Sequence, residues 1–518
     1  MLLLSERRGH RHIAAASASI VLALIALLGF AHRAQGAELV YWNNYSAEPQ
    51  TITFANGDGS GGGLLNLSGT VLDDPEGMAI DTVTGRLFVA SSSGNGGTGQ
   101  ILAANLNGSG AAVFTAPGAP VDEPYGVVID PATRMIYWAN DGDGNNGSIA
   151  WAKLDGSAGG VLNTAGTNIA NPYKIALDPV NGRVYWGNHP EGGPDTIAYA
   201  NVNNTGGGTL SLSKEPESSY AFAVDSGAGR LYWSEGNQDR FAYTGLLGGT
   251  VNTLDTSGAL VDSSYGFAVD PTLNTIRWVN YGNGDDPVNG LGFASLSGGS
   301  GGNFTPTAPF DGPQDLIVLK SPTGTVAPTI ARDAKIRAAL SCSTGSWASD
   351  FAGGFVYQAP TTYAYQWLSN GAPIAGATAA TFTATSAGDY ACSVTAANQA
   401  GAAVLTSAPI NVKAAKVKLT TKKKAKADAG DLVTFQVKAV NQGDLKAKNG
   451  RLCVKLPRSA KDDLKAPKCK KLALNGGAKR TAKVKIKVKG GADEGTDKLT
   501  FQVKGSAGKA AKSKIIVK

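Results

Sequence analysis

Short apolar runs, each ended by Asp, Asn or Gly, follow one another between residues 38 and 320. The stretch from Asp122 to Leu162 holds one full unit. It reads Glu123-Pro-Tyr-Gly-Val-Val-Ile-Asp130, then Arg134-Met-Ile-Tyr-Trp-Ala-Asn140, then Gly147-Ser-Ile-Ala-Trp-Ala-Lys-Leu-Asp-Gly-Ser157. β-Branched and aromatic residues bounded by turn formers predict three short strands. The pieces return every 44 to 50 residues, so the chain is built of repeats.

Six copies can be counted. The first strand ends in Asp81, Asp130, Asp178, Asp225 and Asp270, with Leu319 in the sixth place. The second carries Tyr41-Trp42, Phe88-Val89, Tyr137-Trp138, Tyr185-Trp186, Tyr232-Trp233 and Arg277-Trp278. The third begins at Ile52, Ile101, Ile149, Ile197, Phe241 and Leu291. In one unit the N-terminal end supplies strands two to four and Gln314 to Leu319 supplies strand one. A sheet completed by both ends of a segment closes a ring and leaves no unpaired edge. The pattern therefore predicts an all-β chain that begins with a six-bladed β-propeller. Repeated Trp and Asp residues are expected to pack blade on blade and to accept turn N–H groups.

The order Pro-x-Gly-Val-x-Ile-Asp, Tyr-Trp-x-Asn and Ile-x-x-x-x-Leu-Asp-Gly-Ser resembles the YWTD repeats of low-density lipoprotein receptor class B modules, which the resemblance implies are six-bladed propellers here too. The Thr-Asp half of that motif is replaced by Ala139-Asn140, Gly187-Asn188, Ser234-Glu235 and Val279-Asn280, so polar contacts made by the aspartate are expected to differ. The receptors' partners do not transfer with the fold.

Residues that open the first strands should ring the mouth of the central channel. They are Glu76, Tyr125, Tyr173, Tyr220, Tyr265 and Gln314. Loops between second and third strands should rise on the same face, bringing Asp141 and Asp143, Glu191 and Asp195, Glu235 and Asp239, and Asp285 and Asp286. Tyrosines among carboxylates and amides suit stacking on a sugar or gripping a basic peptide; the plainer reading is that they fill the channel mouth. Asp141-Gly-Asp143-Gly-Asn145-Asn-Gly147 alternates oxygen ligands like the start of a calcium loop, but Asn146 and Ala152 stand where that loop needs glycine and a bidentate glutamate. An Asn/Gly turn accounts for it equally, and no cofactor is expected.

The rest of the 518-residue chain changes the picture in three ways. Residues 1–36 read as an export signal, with Arg7, Arg8 and Arg11 before the apolar run Ile13 to Phe30 and Ala34-Gln35-Gly36 as cleavage site; an uncleaved anchor is the alternative. Cys342, Cys392, Cys453 and Cys469 fall as two local pairs, which suggests disulfides formed in an oxidising compartment. Residues 414–518 carry 29 Lys and Arg against 8 acids, whereas residues 37–413 carry 14 against 31.

Residues 321–413 resemble an immunoglobulin-type sandwich through Cys342, Trp367 and Tyr390-Ala-Cys392, which implies a Cys342–Cys392 bridge under Trp367 and a tyrosine corner at Tyr390, with Ser386 where many such domains carry Asp. Residues 414–518 resemble the small all-β repeat domains of bacterial envelope proteins. In Lys483-Val-Lys-Ile-Lys-Val-Lys489 every lysine takes one face and Val484, Ile486 and Val488 the other. An excess of this size suits an anionic cell-wall polymer or phospholipid surface, or the acidic propeller itself. Nucleic acid is not expected, because aromatics hardly interleave with the lysines.

The domains are therefore expected at 37–320 (propeller), 321–413 and 414–518 (two β-sandwiches). The function expected is that of an exported, non-catalytic cell-surface protein binding a glycan or peptide on the propeller top face. Two alternatives remain: a hydrolase or lyase using loop carboxylates, and a purely structural envelope role. Against catalysis stand the single histidine after residue 36, His189, and the lack of Gly-x-Ser-x-Gly.

Overall fold

The computed structural model describes residues 38–93, 97–142, 147–190, 192–281 and 290–518. The export-signal stretch therefore lies outside the described residues, as do Asp143, Glu191, Asp285 and Asp286. Among the described residues no helix is long and apolar enough to cross a membrane.

Among the described residues the chain is all-β, and it starts with six sheets, each built on four antiparallel strands. Pro124–Asp130, Met135–Asn140, Ser148–Lys153 and Gly159–Val161 make one such blade, in that order from the inside outward. The inner strands of the six blades are Pro75–Asp81, Pro124–Asp130, Pro172–Asp178, Ser219–Asp225, Gly266–Asp270 and Leu316–Lys320. Each touches the next around the ring, and Leu316–Lys320 touches Pro75–Asp81. Closure comes as expected: Glu38–Asn44 pairs antiparallel with Leu316–Lys320, so both ends of the segment share one blade.

The tryptophans hold the blades together. Trp42, Trp138, Trp186, Trp233 and Trp278 are at most 1% exposed. Trp138, for example, lies in one apolar cluster with Ala79, Phe88 and Ile101 of the preceding blade. The aspartates that end the inner strands accept turn N–H groups, as Asp130 does from Ala132 at 2.9 Å and Asp178 from Val180 at 3.1 Å. They also reach the following blade: Arg134 pairs with Asp81, Ser226 donates to Asp178 at 2.7 Å, and Lys320 to Asp270 at 2.7 Å.

The described chain divides into two compact units. The first joins the propeller to Trp347–Thr362 and Ala396–Ala403, and the second takes Gly324–Ser346, Tyr363–Thr395 and Val404–Lys518. Within the first, Val356–Tyr357 adds a parallel strand to Val318 and Leu319, and a turn at Ala352–Gly354 packs on the inner strands. Only glycine fits there, since a Cβ on Gly353 or Gly354 would stand 2.3 Å from the carbonyl oxygen of Leu177 or Val269. Thr82 holds this segment through Asp350 at 2.5 Å, and Asn398 donates to the Lys320 carbonyl at 2.7 Å.

In the second unit all four cysteines pair locally, Cys342 with Cys392 and Cys453 with Cys469. Trp367 is fully buried against Phe382, and Tyr390 Oη donates to the Ser386 carbonyl at 3.0 Å. Residues 416–517 form two five-stranded sheets whose inner faces meet through Phe435 and Phe501.

Candidate functional site

The residues expected at the channel mouth are aimed there by a backbone irregularity. The pairing of first and second strands slips between Pro75 and Met78, Pro124 and Val127, Pro172 and Ile175, and Ser219 and Phe222. A bulge at the start of a strand takes its residues out of the ladder and re-aims them. Glu76, Tyr125, Tyr173 and Tyr220 all sit inside these slips. The backbones crowd there, so that a Cβ on Gly126 would lie 2.6 Å from the Ile175 nitrogen.

The structure joins the tyrosines into one arc. Ring centroids are 4.2 Å apart for Tyr125 and Tyr173, 5.5 Å for Tyr173 and Tyr220, and 4.8 Å for Tyr220 and Tyr265. Tyr281, which sequence reasoning missed, extends the arc at 5.3 Å from Tyr265. His189 stacks on Tyr220 at 5.4 Å. The rings are half-buried and use much of their faces on one another. Burial and nearby carboxylates push the Tyr125 and Tyr173 hydroxyls far up, and burial with its tyrosine neighbours pushes Tyr265 up to about 12.

Beneath the arc lies a buried charged layer. Glu76 is 2% exposed, Lys174 5% and Asp315 8%, and Lys174 Nζ sits 3.5 Å from Glu76 Oε2. Lys174 Nζ also donates to the Glu76 carbonyl, and Asp315 accepts from the Met78 nitrogen at 2.6 Å. Desolvation outweighs Lys174 and pushes Glu76 up to about 7 and Asp315 to about 6. Sequence reasoning missed Lys174 and Asp315, though a signal was there. The residue after each mouth position is Gly77, Gly126, Lys174, Ala221, Gly266 and Asp315, and only two of these break a column of small residues. Below this layer a cavity of ≈ 10 Å³ is lined by Lys174, Asp315 and Phe355, about the space of one water. The charged layer is thus backed by Phe355.

The loop acids divide. Glu235 is buried and taken by Arg240 at 2.5 Å, Asp239 accepts from the Ser263 nitrogen at 2.9 Å, and Asp195 holds His189 Nδ1 at 3.1 Å. His189 Nε2 faces the Ser219 carbonyl at 3.0 Å, so both ring nitrogens face acceptors. Asp141 is different: desolvation and Glu123 push it up to about 6, and its Oδ1 is buried without a hydrogen-bond partner. The same holds for Glu76 Oε2, Asn171 Oδ1 and Gln314 Oε1, all at this end of the blades. Ser219 Oγ is unmatched too and can donate or accept; the other unmatched atoms here are acceptors, which a donor-bearing cation would satisfy. The Asp143–Asn146 part of the calcium-like stretch lies outside the described residues.

No family model matches the chain, and no curated protein matches it. Among solved structures it is similar to a gluconolactonase from Xanthomonas campestris, at 13% identity and a TM-score of 0.36, over 59% of this chain and 92% of that one. It is also similar to TolB from Acinetobacter baumannii, at 16% identity and a TM-score of 0.38, over 55% of this chain and 67% of that one. The expectation of a non-catalytic protein is corrected here, because an enzyme stands among the structures this chain is similar to. At these identities and scores the likeness assigns no reaction to it.

Proposed function

We propose that the propeller of an exported protein recognises a cationic ligand, a Lys- or Arg-bearing peptide segment, at the tyrosine-lined mouth. The observation that carries this reading is the set of buried acceptor atoms without hydrogen-bond partners, Asp141 Oδ1, Asn171 Oδ1 and Gln314 Oε1, with Glu76 Oε2 faced by Lys174 at 3.5 Å, beside an arc of tyrosine rings. An ammonium or guanidinium group supplies several donors and is attracted by aromatic faces. Pairing of all four cysteines supports export into an oxidising compartment, and the Tyr-Trp-x-Asn strands support a YWTD-like repeat.

A second reading, that the mouth also acts on its ligand, is favoured by Glu76 and Asp141, whose carboxyls are held near the pH range where general acids and bases work. Arrays of basic peptides and of neutral glycans, followed by titration with Tyr173→Ala and Tyr220→Ala, test the first reading. Basic peptides should bind, and each variant should lose roughly tenfold or more in affinity. Unchanged peptide affinity in both variants, or binding confined to glycans, would overturn it.

A further inference from the structure

The basic domain has two outer sheet faces, and they differ in how their lysines are arranged. On Lys479–Val488 the outward lysines stand opposite neutral residues of the long neighbouring strand, Lys483 to Gln436, Lys485 to Thr434 and Lys487 to Leu432. Like charges in that sheet meet only in twos, Lys487 with Lys465 and Lys418 with Lys509. The other sheet runs Lys424–Ala427, Ala511–Val517, Gly495–Lys504, Arg451–Lys455 and Lys470–Lys471. There Lys514 is directly opposite Lys424 on one side and Lys498 on the other. Arg451 is likewise opposite both Lys504 and Lys471. Two rungs of three cations thus cross the same exposed face.

Like charges directly opposite on neighbouring strands, about 5 Å apart, destabilise a sheet. Protection of an exposed edge asks for lysines on edge strands, but Gly495–Lys504 and Ala511–Val517 are interior strands. Among the described residues no acid forms an ion pair with the rungs. The one acid on these strands, Asp497, is 9% exposed and belongs to the inner face, and the ion pairs of this unit among the described residues use Arg332 and Arg337 with Asp444.

We propose that this face binds a flexible linear phosphate polymer, whose backbone charges fill the rungs. Five strands twisting by about 20–25° per pair turn the face through roughly a right angle from edge to edge. A flat bilayer would meet only part of such a surface, whereas a flexible chain can follow it. The cations are almost all lysines, point charges that take phosphate without demanding one orientation. The outward positions carry no aromatic residue on which bases would stack or which would anchor in lipid.

Titrating long-chain inorganic polyphosphate onto the full chain across a salt series tests this. The triple variant Lys424→Gln, Lys498→Gln, Lys514→Gln should lose about tenfold or more in affinity and flatten the slope of log K against log salt by roughly two. The matched triple Lys483→Gln, Lys485→Gln, Lys487→Gln, which removes as many charges from the other face, should stay within about twofold. The first triple should also melt about 1–3 °C higher, because it relieves a repulsion, so a loss of binding cannot be put down to unfolding. Equal losses in the two triples would overturn the proposal in favour of unspecific attraction. Binding to vesicles of anionic phospholipid or to duplex DNA that depends on the same rung, with no binding to polyphosphate, would overturn it in favour of those partners.

Discussion

Glu76 combines burial, a loosely seated cation and an oxygen with no hydrogen-bond partner. Its carboxyl is pushed from 4.5 up to about 7, mainly by desolvation and against the pull of Lys174. The sign of the linkage follows. Between these two values the folded state holds a proton that the unfolded state has released, so stability falls as pH rises through this window and levels off above it. Asp315, raised to about 6, adds a fall in the same direction. Urea unfolding from pH 4.5 to 8 should show a declining midpoint, and Glu76→Gln should make the profile shallower without abolishing it. A profile that rises with pH in the wild type would refute the burial argument. One that is identical in the variant would show that Glu76 is not the group responsible.

At the scale of the strand, Asn140, Asn188 and Asn280 each stand two residues after Trp, and the structure gives them a role. Asn140 and Asn188 end second strands, Asn280 directly follows one, and each accepts a backbone N–H from the loop 18 residues upstream, at 3.1, 3.2 and 3.0 Å. Each also donates through Nδ2 to a carbonyl 20 residues upstream, which a carboxylate cannot do. The amide thus clamps the outer loop to the strand in both directions. Asn188→Ala leaves the buried Ala170 nitrogen and Trp186 indole short of an acceptor, and should cost about 1–3 kcal/mol in denaturant unfolding. Asn188→Asp keeps the acceptor and should lose part of that. The strands, their Asp-ended turns and the mouth tyrosines were legible because they recur in register, six, five and four times around the ring. Lys174 and Asp315 were legible only as breaks in a column of small residues. The slips that aim Glu76 and the tyrosines were not, because Pro-Tyr-Gly-Val reads as a regular strand start and a bulge shows only in the partner's register.

For the propeller as a whole, ring closure depends on more than its own two ends. Ala352-Gly-Gly-Phe355 has no strand period and reads as a loop of the next domain, so nothing in its pattern points to the inner strands it packs on. Yet Val356 and Tyr357 pair with Val318 and Leu319, Phe355 lines the cavity under Lys174, and Asp350 bonds Thr82 of the first blade. Val356, Tyr357 and Phe355 are between 1% and 7% exposed, and removing them would return the apolar surface they cover to water. Burying one large apolar side chain stabilises by about 1.5–3 kcal/mol, so three of them outweigh the effect of most single substitutions. A chain cut after Lys320 keeps every blade strand but loses this segment, whereas one cut after Lys413 keeps it. The shorter chain should melt at least several degrees lower and bind a hydrophobic dye that the longer one does not. Gly354→Val in the longer chain, by driving a side chain into the Val269 carbonyl, should move it toward the shorter chain's behaviour. Equal melting of the two truncated chains would show that the six blades close unaided and that the segment merely rests on them.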